Sequence, residues 1–119
     1  MIRGIAATLA ALTLAFGVTT ASANDYYKGK TITVISPVPG GSGLDRLTRA
    51  FLKHWPKHIQ GNPKVIVKNM PGAGGAKGLN FLQERARPDG LTLFLGPWSA
   101  PGIIAGDPAL RYVPEKLVL

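Results

Sequence analysis

The chain has 119 residues, no cysteine and a formal net charge of +8. A chain of this length can bury one modest hydrophobic core, and the lack of cysteine excludes disulfide bonds and thiolate metal sites. Its lysine and arginine residues favour anionic partners but are spread along the sequence. A nucleic-acid-binding surface needs a basic stripe interleaved with aromatic residues, so we expect no nucleic-acid partner.

The first 23 residues have the features of a secretory signal peptide. Arg3 precedes an uncharged run rich in alanine and leucine, and Ala21-Ser22-Ala23 offers small residues at a cleavage site. A membrane anchor is the alternative, but the apolar run is shorter than the roughly 20 residues that span a bilayer. We expect cleavage after Ala23, which leaves residues 24–119 as the mature, exported protein.

Three short segments are predicted to be buried β-strands. They are "TITVIS" at 31–36, "KVIVKN" at 64–69 and "LTLFLG" at 91–96. Each is rich in β-branched or apolar residues, as expected for parallel strands that are covered on both faces.

Two amphipathic helices are predicted between these strands. The first is "LDRLTRAFLKHW" at 44–55, with Asp45 in the position of a helix-start acid, and the second is "AKGLNFLQERA" at 76–86. In the first helix one apolar stripe is expected to face the core. The stripe consists of Leu44, Leu47, Phe51, Leu52 and Trp55.

The alternation of strands and helices predicts an α/β fold, a βαβαβ lobe with a parallel sheet and right-handed crossovers. If the helices cover opposite faces, the first strand lies in the middle. Ligands of such sheets bind at the carboxyl ends of the strands, which here lead into the loops 37–44, 70–78 and 96–102. A further apolar strand, "KLVL", is predicted at 116–119, and because the pattern stops there we expect a fragment of a longer protein.

Two of these loops are rich in glycine and precede a helix: "PGGSGLD" at 39–45 and "PGAGGAKG" at 71–78. Such loops can direct backbone amides and a helix N-terminus at a carboxylate or phosphate, although they can also be turns with no ligand. For Asp45 the simpler interpretation is a helix-start residue that satisfies backbone donors, and we favour it over ligand contact.

Motifs for catalysis and metal binding are not found. The glycine loops lack the Gly-Lys-Ser/Thr of a P-loop and the last glycine of a dinucleotide fingerprint. No Ser-His-acid set stands at a plausible spacing. His54 and His58 have helical spacing, but Pro56 lies between them. We therefore expect a binding protein rather than an enzyme, without a metal or cofactor.

Four segments together resemble the substrate-binding receptors of tripartite tricarboxylate transporters, the Bug-type periplasmic solute-binding proteins. They are "ITVISPVPGGSGLDRLTRAF", "VIVKNMPGAGGAKGLNFL", "RPDGLTLFLG" and "GDPALRYVPEKL". The likeness runs in order from about Tyr26 to Leu119. Its most specific part is "KNMPGAGG" at 68–75 followed by "PDG" at 88–90.

The resemblance implies a periplasmic binding protein type II-like fold, in which two α/β domains close on a small organic anion such as a di- or tricarboxylate. It implies a periplasmic location, a monomer, no enzymatic activity and transient contact with the membrane components of the transporter. The ligand-binding positions carried over by motif are Pro39, Gly40, Gly41, Ser42, Gly43, Asp45, Gly72, Ala73, Gly74, Gly75 and Ser99.

The sequence departs from the family pattern in two respects. Its first loop has an extra residue relative to one common form, and Gly40 and Leu44 replace the proline and the aromatic residue of the other. Family members are also much longer, so residues 24–119 correspond to an incomplete first lobe. A ligand-sensing lobe for a signalling partner, an exported enzyme acting on anionic substrates and a non-functional remnant of such a receptor are the alternative interpretations.

Overall fold

The computed structural model describes residues 26–117, which form a small α/β fold. A three-stranded parallel sheet has the strand order β2-β1-β3. Its strands are β1 (Thr31–Ser36), β2 (Lys64–Asn69) and β3 (Thr92–Phe94). The predicted α/β class and the parallel sheet are confirmed, and the first strand is central, as expected for helices that cover opposite faces. The predicted cleavage after Ala23 lies outside the described residues.

Short connections join the strands to the helices, and 3₁₀ turns follow or precede the regular helices. The helices are α1 (Gly43–His54), α2 (Ala76–Arg85) and α3 (Ala100–Ile104), with 3₁₀ turns at Trp55–His58, Ala73–Gly75 and Pro114–Lys116. Pro56 lies in the turn that follows α1, as its missing amide donor predicts. None of the helices between residues 26 and 117 has the length and apolar character needed to span a bilayer.

Alternate residues of β1 pack against different helices. Ile32 and Val34 are buried together with Leu52 of α1. The side chain of Ile35 points the other way, where its Cγ2 atom would lie 3.1 Å from a Cβ atom added at Gly78 of α2. Since successive side chains of a strand point to opposite faces, α1 and α2 cover opposite faces of the sheet.

Only part of the predicted apolar stripe of α1 faces the sheet. Leu52 is buried and Trp55 is half-buried, but the helix is rotated so that Asp45 and Thr48 also lie on its buried face. The prediction that the whole stripe packs in the core is therefore wrong: the buried face of α1 includes the Asp45 carboxylate, which accepts three internal hydrogen bonds. The other three side chains of the stripe are exposed: Leu44 by 39%, Leu47 by 66% and Phe51 by 54%.

Substitution of Leu47 tests this orientation. Leu47→Gln is expected to change the free energy of unfolding by no more than about 0.5 kcal/mol, because a side chain that is already 66% exposed loses little burial. Urea unfolding followed by circular dichroism measures the difference from the wild-type protein. A loss of several kcal/mol would instead place Leu47 in the core.

A buried asparagine joins the segment after α3 to α2. Asn80 is 6% exposed, and its Nδ2 donates to the Ala109 carbonyl at 2.9 Å. Its Oδ1 accepts the amides of Arg111 and Tyr112, both at 3.0 Å. Tyr112 consequently packs with Leu79 of α2 in a second small core, and burial raises the pKa of its phenol.

The last two predicted strands differ from the structure. β3 is shorter than the predicted 91–96: the Leu95 amide still donates to the Ile35 carbonyl at 3.0 Å, but the chain then turns at Gly96, where φ is +155°. Lys116 ends a 3₁₀ turn, so the predicted strand at 116–119 is wrong at its first residue. Val118 and Leu119 lie outside the described residues.

Candidate functional site

The parallel register directs three loops to one edge of the sheet. Ser36 at the end of β1 is paired with Asn69 at the end of β2, and Ile35 is paired with Phe94 at the end of β3. The loops that follow these strands therefore start side by side. They are loop 1 (37–42), loop 2 (70–75) and loop 3 (95–99), and they contain most of the binding positions predicted from the sequence.

Loop 1 is anchored to α1 by a buried carboxylate. Asp45 is 2% exposed, and its Oδ2 accepts the Gly41 amide at 2.8 Å and Arg49 Nε at 2.9 Å. Its Oδ1 accepts Asn69 Nδ2 at 2.8 Å. The Ser42 hydroxyl accepts the Asp45 amide at 3.3 Å, so that Ser42, and not Asp45, is the N-cap. This is a variant of the capping box.

The environment of Asp45 keeps it ionised. The hydrogen bond from Arg49, followed by those from Asn69 and the Gly41 amide, holds the pKa of Asp45 far below its usual range. Both carboxylate oxygens accept internal donors, so the geometry supports the structural role of Asp45 at the start of the helix. Its predicted contact with a ligand is not tested by this arrangement.

Asn69 connects loop 1 to the end of β2. Its Nδ2 also donates to the Val38 carbonyl at 2.9 Å, and its Oδ1 accepts Arg49 Nη2 at 2.9 Å. One amide side chain therefore contacts the loop, the buried carboxylate and its arginine. Neither Asn69 nor Arg49 was predicted as a site residue; the available signal was that Asn69 ends a predicted strand directly before a glycine-rich loop.

Loops 2 and 3 are in close contact. A Cβ atom at Gly75, where φ is +96°, would lie 2.5 Å from the Pro97 carbonyl oxygen. Only glycine tolerates both this φ and this approach. Gly74 lies beside Ser99, whose Cβ atom is 3.8 Å from the position that a Cβ atom at Gly74 would take. The sequence predicted both Gly74 and Ser99 as binding residues, and the fold brings them together.

Loop 3 also contacts loop 1. A Cβ atom at Gly96 would overlap the ring of Pro37, which follows β1 directly. Loop 1 therefore contacts loop 3, loop 3 contacts loop 2, and Asn69 joins the end of β2 to loop 1. The three loops form one continuous surface at the carboxyl edge of the sheet.

No protein-family model, curated protein or solved structure matches the chain.

The glycine-rich loops differ in which amides remain available to a ligand. Three amides have internal acceptors: Gly41 donates to Asp45, Ser42 donates to Pro39 at 3.3 Å, and Gly75 donates to Gly72 at 3.1 Å. Within residues 26–117, the amides in and next to these loops that lack an internal acceptor include those of Gly40, Gly43, Gly72, Ala73 and Gly74. Gly43 is the first residue of α1, where an amide has no partner within the helix.

Two serine hydroxyls at the site cap helices. Ser42 caps α1, and Ser99 accepts the Gly102 amide at 3.2 Å at the start of α3. A hydroxyl that accepts one hydrogen bond still has its own proton to donate. Both serines can therefore present a donor to an anion at the surface formed by the loops.

Lys77 adds a cation to this edge, although its position in the sequence predicted only ordinary surface charge. It is exposed in the first turn of α2, and its Cδ atom lies 3.6 Å from the position of a Cβ atom at Gly72. The aliphatic stem of Lys77 thus lies over loop 2. Because the Arg49 side chain compensates the Asp45 carboxylate, the loop edge presents amides, hydroxyls and a positive charge.

Proposed function

We propose that this protein is the ligand-binding lobe of an exported receptor for a small organic anion. The observation that carries this proposal is the continuous surface of loops 1, 2 and 3, with unpaired amides from two loops that each lead into a helix. Amides of this kind and a positive helix N-terminus suit a carboxylate, and they hold it without a charged side chain.

The di- or tricarboxylate class is the ligand class that fits these donors and the resemblance best. α1 begins directly after loop 1 and α2 directly after loop 2, so two helix N-termini open on this edge. Two such termini can hold two carboxylates of one ligand, and Lys77 offers a further charge-assisted hydrogen bond.

Transport is the activity that this receptor serves. The motifs "PGGSGLD" and "KNMPGAGG" resemble those of periplasmic receptors that deliver di- and tricarboxylates to tripartite tricarboxylate transporters. In this proposal the lobe is half of a periplasmic binding protein type II-like cleft, a second lobe closes over the ligand, and the closed form docks on the membrane components.

Thermal unfolding of the purified protein with succinate, malate and citrate tests the ligand class. A ligand that binds only the folded state at about 100 times its Kd adds about 2.7 kcal/mol to the free energy of unfolding. We expect one of these acids to raise the melting temperature, and succinamide or sodium chloride at matched ionic strength to leave it unchanged. If the protein unfolds cooperatively but no acid shifts the transition, loops 1, 2 and 3 do not hold a carboxylate, and the observation that carries the proposal fails.

Two matched lysine variants locate the binding surface. Lys77→Gln is expected to weaken the affinity for the stabilising acid about ten-fold, because a hydrogen bond to a charged group contributes about 1.5–3 kcal/mol. Lys57→Gln removes an equal charge from the exposed turn after α1 and is expected to leave the affinity unchanged. Isothermal titration calorimetry measures both. Equal losses in the two variants would mean that the ligand senses only net charge.

A further inference from the structure

Two open grooves flank Phe81 and Arg85 on the outer face of α2. One groove, of about 400 Å³, lies between α2 and the segment that contains Arg111. The other, of about 580 Å³, lies between α2 and the uncovered part of the sheet at Ile66 and Lys68. Because both grooves are lined by Phe81 and Arg85, they form one elongated surface along the helix.

This surface collects cations that are far apart in the sequence. We name it the α2 basic surface and define it by five exposed residues: Lys68, Lys77, Arg85, Arg87 and Arg111. These charges are scattered in the sequence, because β2, α2, the turn after α2 and the segment after α3 contribute them separately. The fold places them around the two grooves.

Most of this positive charge is not compensated by carboxylates. Glu84 is bound to Arg111, with nitrogen–oxygen distances of 2.8 and 3.3 Å, and Arg111 holds the pKa of Glu84 below its usual range. Asp89 at the rim accepts the Leu91 amide at 2.9 Å. Within residues 26–117, the ion pairs of the fold do not include the other four cations of the surface.

Apolar groups lie between the cations. Lys68 Nζ lies 4.9 Å from the ring centroid of the half-buried Phe81, a cation–π contact. Ile66 is 44% exposed in the groove beside it, and Met70 lines the other groove. A partner for this surface therefore needs negative charges and apolar side chains within one extended segment.

We propose that the α2 basic surface docks an acidic, amphipathic peptide segment of a partner protein. Carboxylates of the segment pair with Lys68, Arg85 and Arg87, and its apolar side chains cover Ile66 and Phe81. Charge complementarity of this kind raises the association rate and sets the specificity of an interface. A nucleic acid suits the surface less well, because a continuous row of phosphates would leave the apolar side chains of Ile66 and Phe81 uncovered.

Fluorescence anisotropy with short labelled peptides tests this docking. The probe alternates glutamate and leucine; the comparison peptides alternate glutamate and serine, or glutamine and leucine. We expect the Glu/Leu peptide to bind the protein more tightly than either comparison, with an affinity that falls as salt rises. Failure of the Glu/Leu peptide to bind at low salt, or equal binding of the Glu/Ser peptide, overturns the proposal.

Charge-reversal pairs locate the docking surface on the protein. Lys68→Glu with Arg85→Glu is expected to weaken binding of the Glu/Leu peptide about ten-fold or more. The matched control is Lys28→Glu with Lys57→Glu, which changes the net charge equally at two exposed residues that line neither groove and is expected to alter the affinity by less than about two-fold. All four side chains lie at least partly exposed, and circular dichroism verifies that the variants fold.

The remaining outcomes also decide the question. Equal weakening by both pairs would show that the peptide responds only to the overall charge of the protein. This result would overturn the proposal that the α2 basic surface docks it. Tighter binding of a labelled single-stranded oligonucleotide, weakened by the Lys68/Arg85 pair, would assign the surface to a nucleic acid instead. Neither pair changes Lys77. Peptide docking at the α2 basic surface can therefore fail without affecting carboxylate binding at loops 1, 2 and 3, and the two proposals are tested separately.

Discussion

Gly75→Ala is expected to lower the free energy of unfolding by about 3 kcal/mol. The substitution forces an alanine to adopt a φ of +96° and places its Cβ atom 2.5 Å from the Pro97 carbonyl oxygen, which belongs to the backbone of loop 3. A strained φ of this kind costs about 1–2 kcal/mol, and moving a packed backbone adds about 1–3 kcal/mol. Urea unfolding at neutral pH, followed by circular dichroism, measures the total.

Gly106→Ala is the matched control for backbone strain alone. Gly106 also has a positive φ, +68°, but nothing lies within 4 Å of a Cβ atom added there. Its substitution is expected to cost about 1 kcal/mol. The difference between the two variants is the contribution of the contact between loops 2 and 3. Equal costs would mean that these loops do not approach each other as closely as the structure has them.

The same substitution also connects the fold to the proposed site. If loop 3 moves away to accommodate the methyl group added at Gly75, the surface shared by Gly74 and Ser99 opens, and an anion held by both loops loses affinity. Gly106→Ala leaves that surface unchanged. A stabilising carboxylate should therefore bind the Gly75→Ala variant more weakly than the Gly106→Ala variant, at a temperature where both are folded.

The secondary structure was largely predictable because short-range patterns determine it. β1 and β2 have the predicted bounds, and both long helices agree to within a residue at each end. Three closely spaced strands separated by helical patterns have few possible arrangements, and the order of the parallel sheet follows once the two helices are placed on opposite faces. The predicted loops lie at the expected edge for the same reason.

The side-chain contacts of the site could not be derived in this way. Asn69 and Asp45 are 24 positions apart, and their hydrogen bond exists only because β2 ends beside the start of α1. Asp45 is buried and Leu47 is exposed, so an apolar pattern that ranks Leu47 above Asp45 for the core predicts the wrong face of α1. The spacing of apolar residues predicts which apolar side chains share a helix face. It cannot predict that a carboxylate is buried because three hydrogen-bond donors surround it.

Asn69→Asp is expected to destabilise the protein at pH 7 more than Asn69→Ala does. Asn69→Ala leaves the Val38 carbonyl without its donor and costs about 1–3 kcal/mol. Asn69→Asp removes the same donor and also places a second carboxylate where the amide lay 2.8 Å from Asp45 Oδ1. Two adjacent carboxylates cannot both ionise cheaply, so the pKa of one of them is raised. Chemical unfolding of both variants from pH 7 to about pH 4 measures the effect.

The pH dependence separates this electrostatic role of Asn69 from simple loss of packing. The low pKa of Asp45 stabilises the wild-type fold above the usual carboxyl range, and this contribution is lost as the pH falls through the folded pKa. In Asn69→Asp, the carboxyl with the raised pKa becomes protonated as the pH falls, and it can then donate a hydrogen bond. The difference in free energy of unfolding between Asn69→Asp and Asn69→Ala should therefore shrink as the pH approaches about 4. Asn62→Asp adds an equal charge in an exposed turn away from Asp45 and should show no such trend. If the difference in free energy of unfolding between Asn69→Asp and Asn69→Ala does not change with pH, Asn69 does not bridge loop 1 to a buried, ionised Asp45.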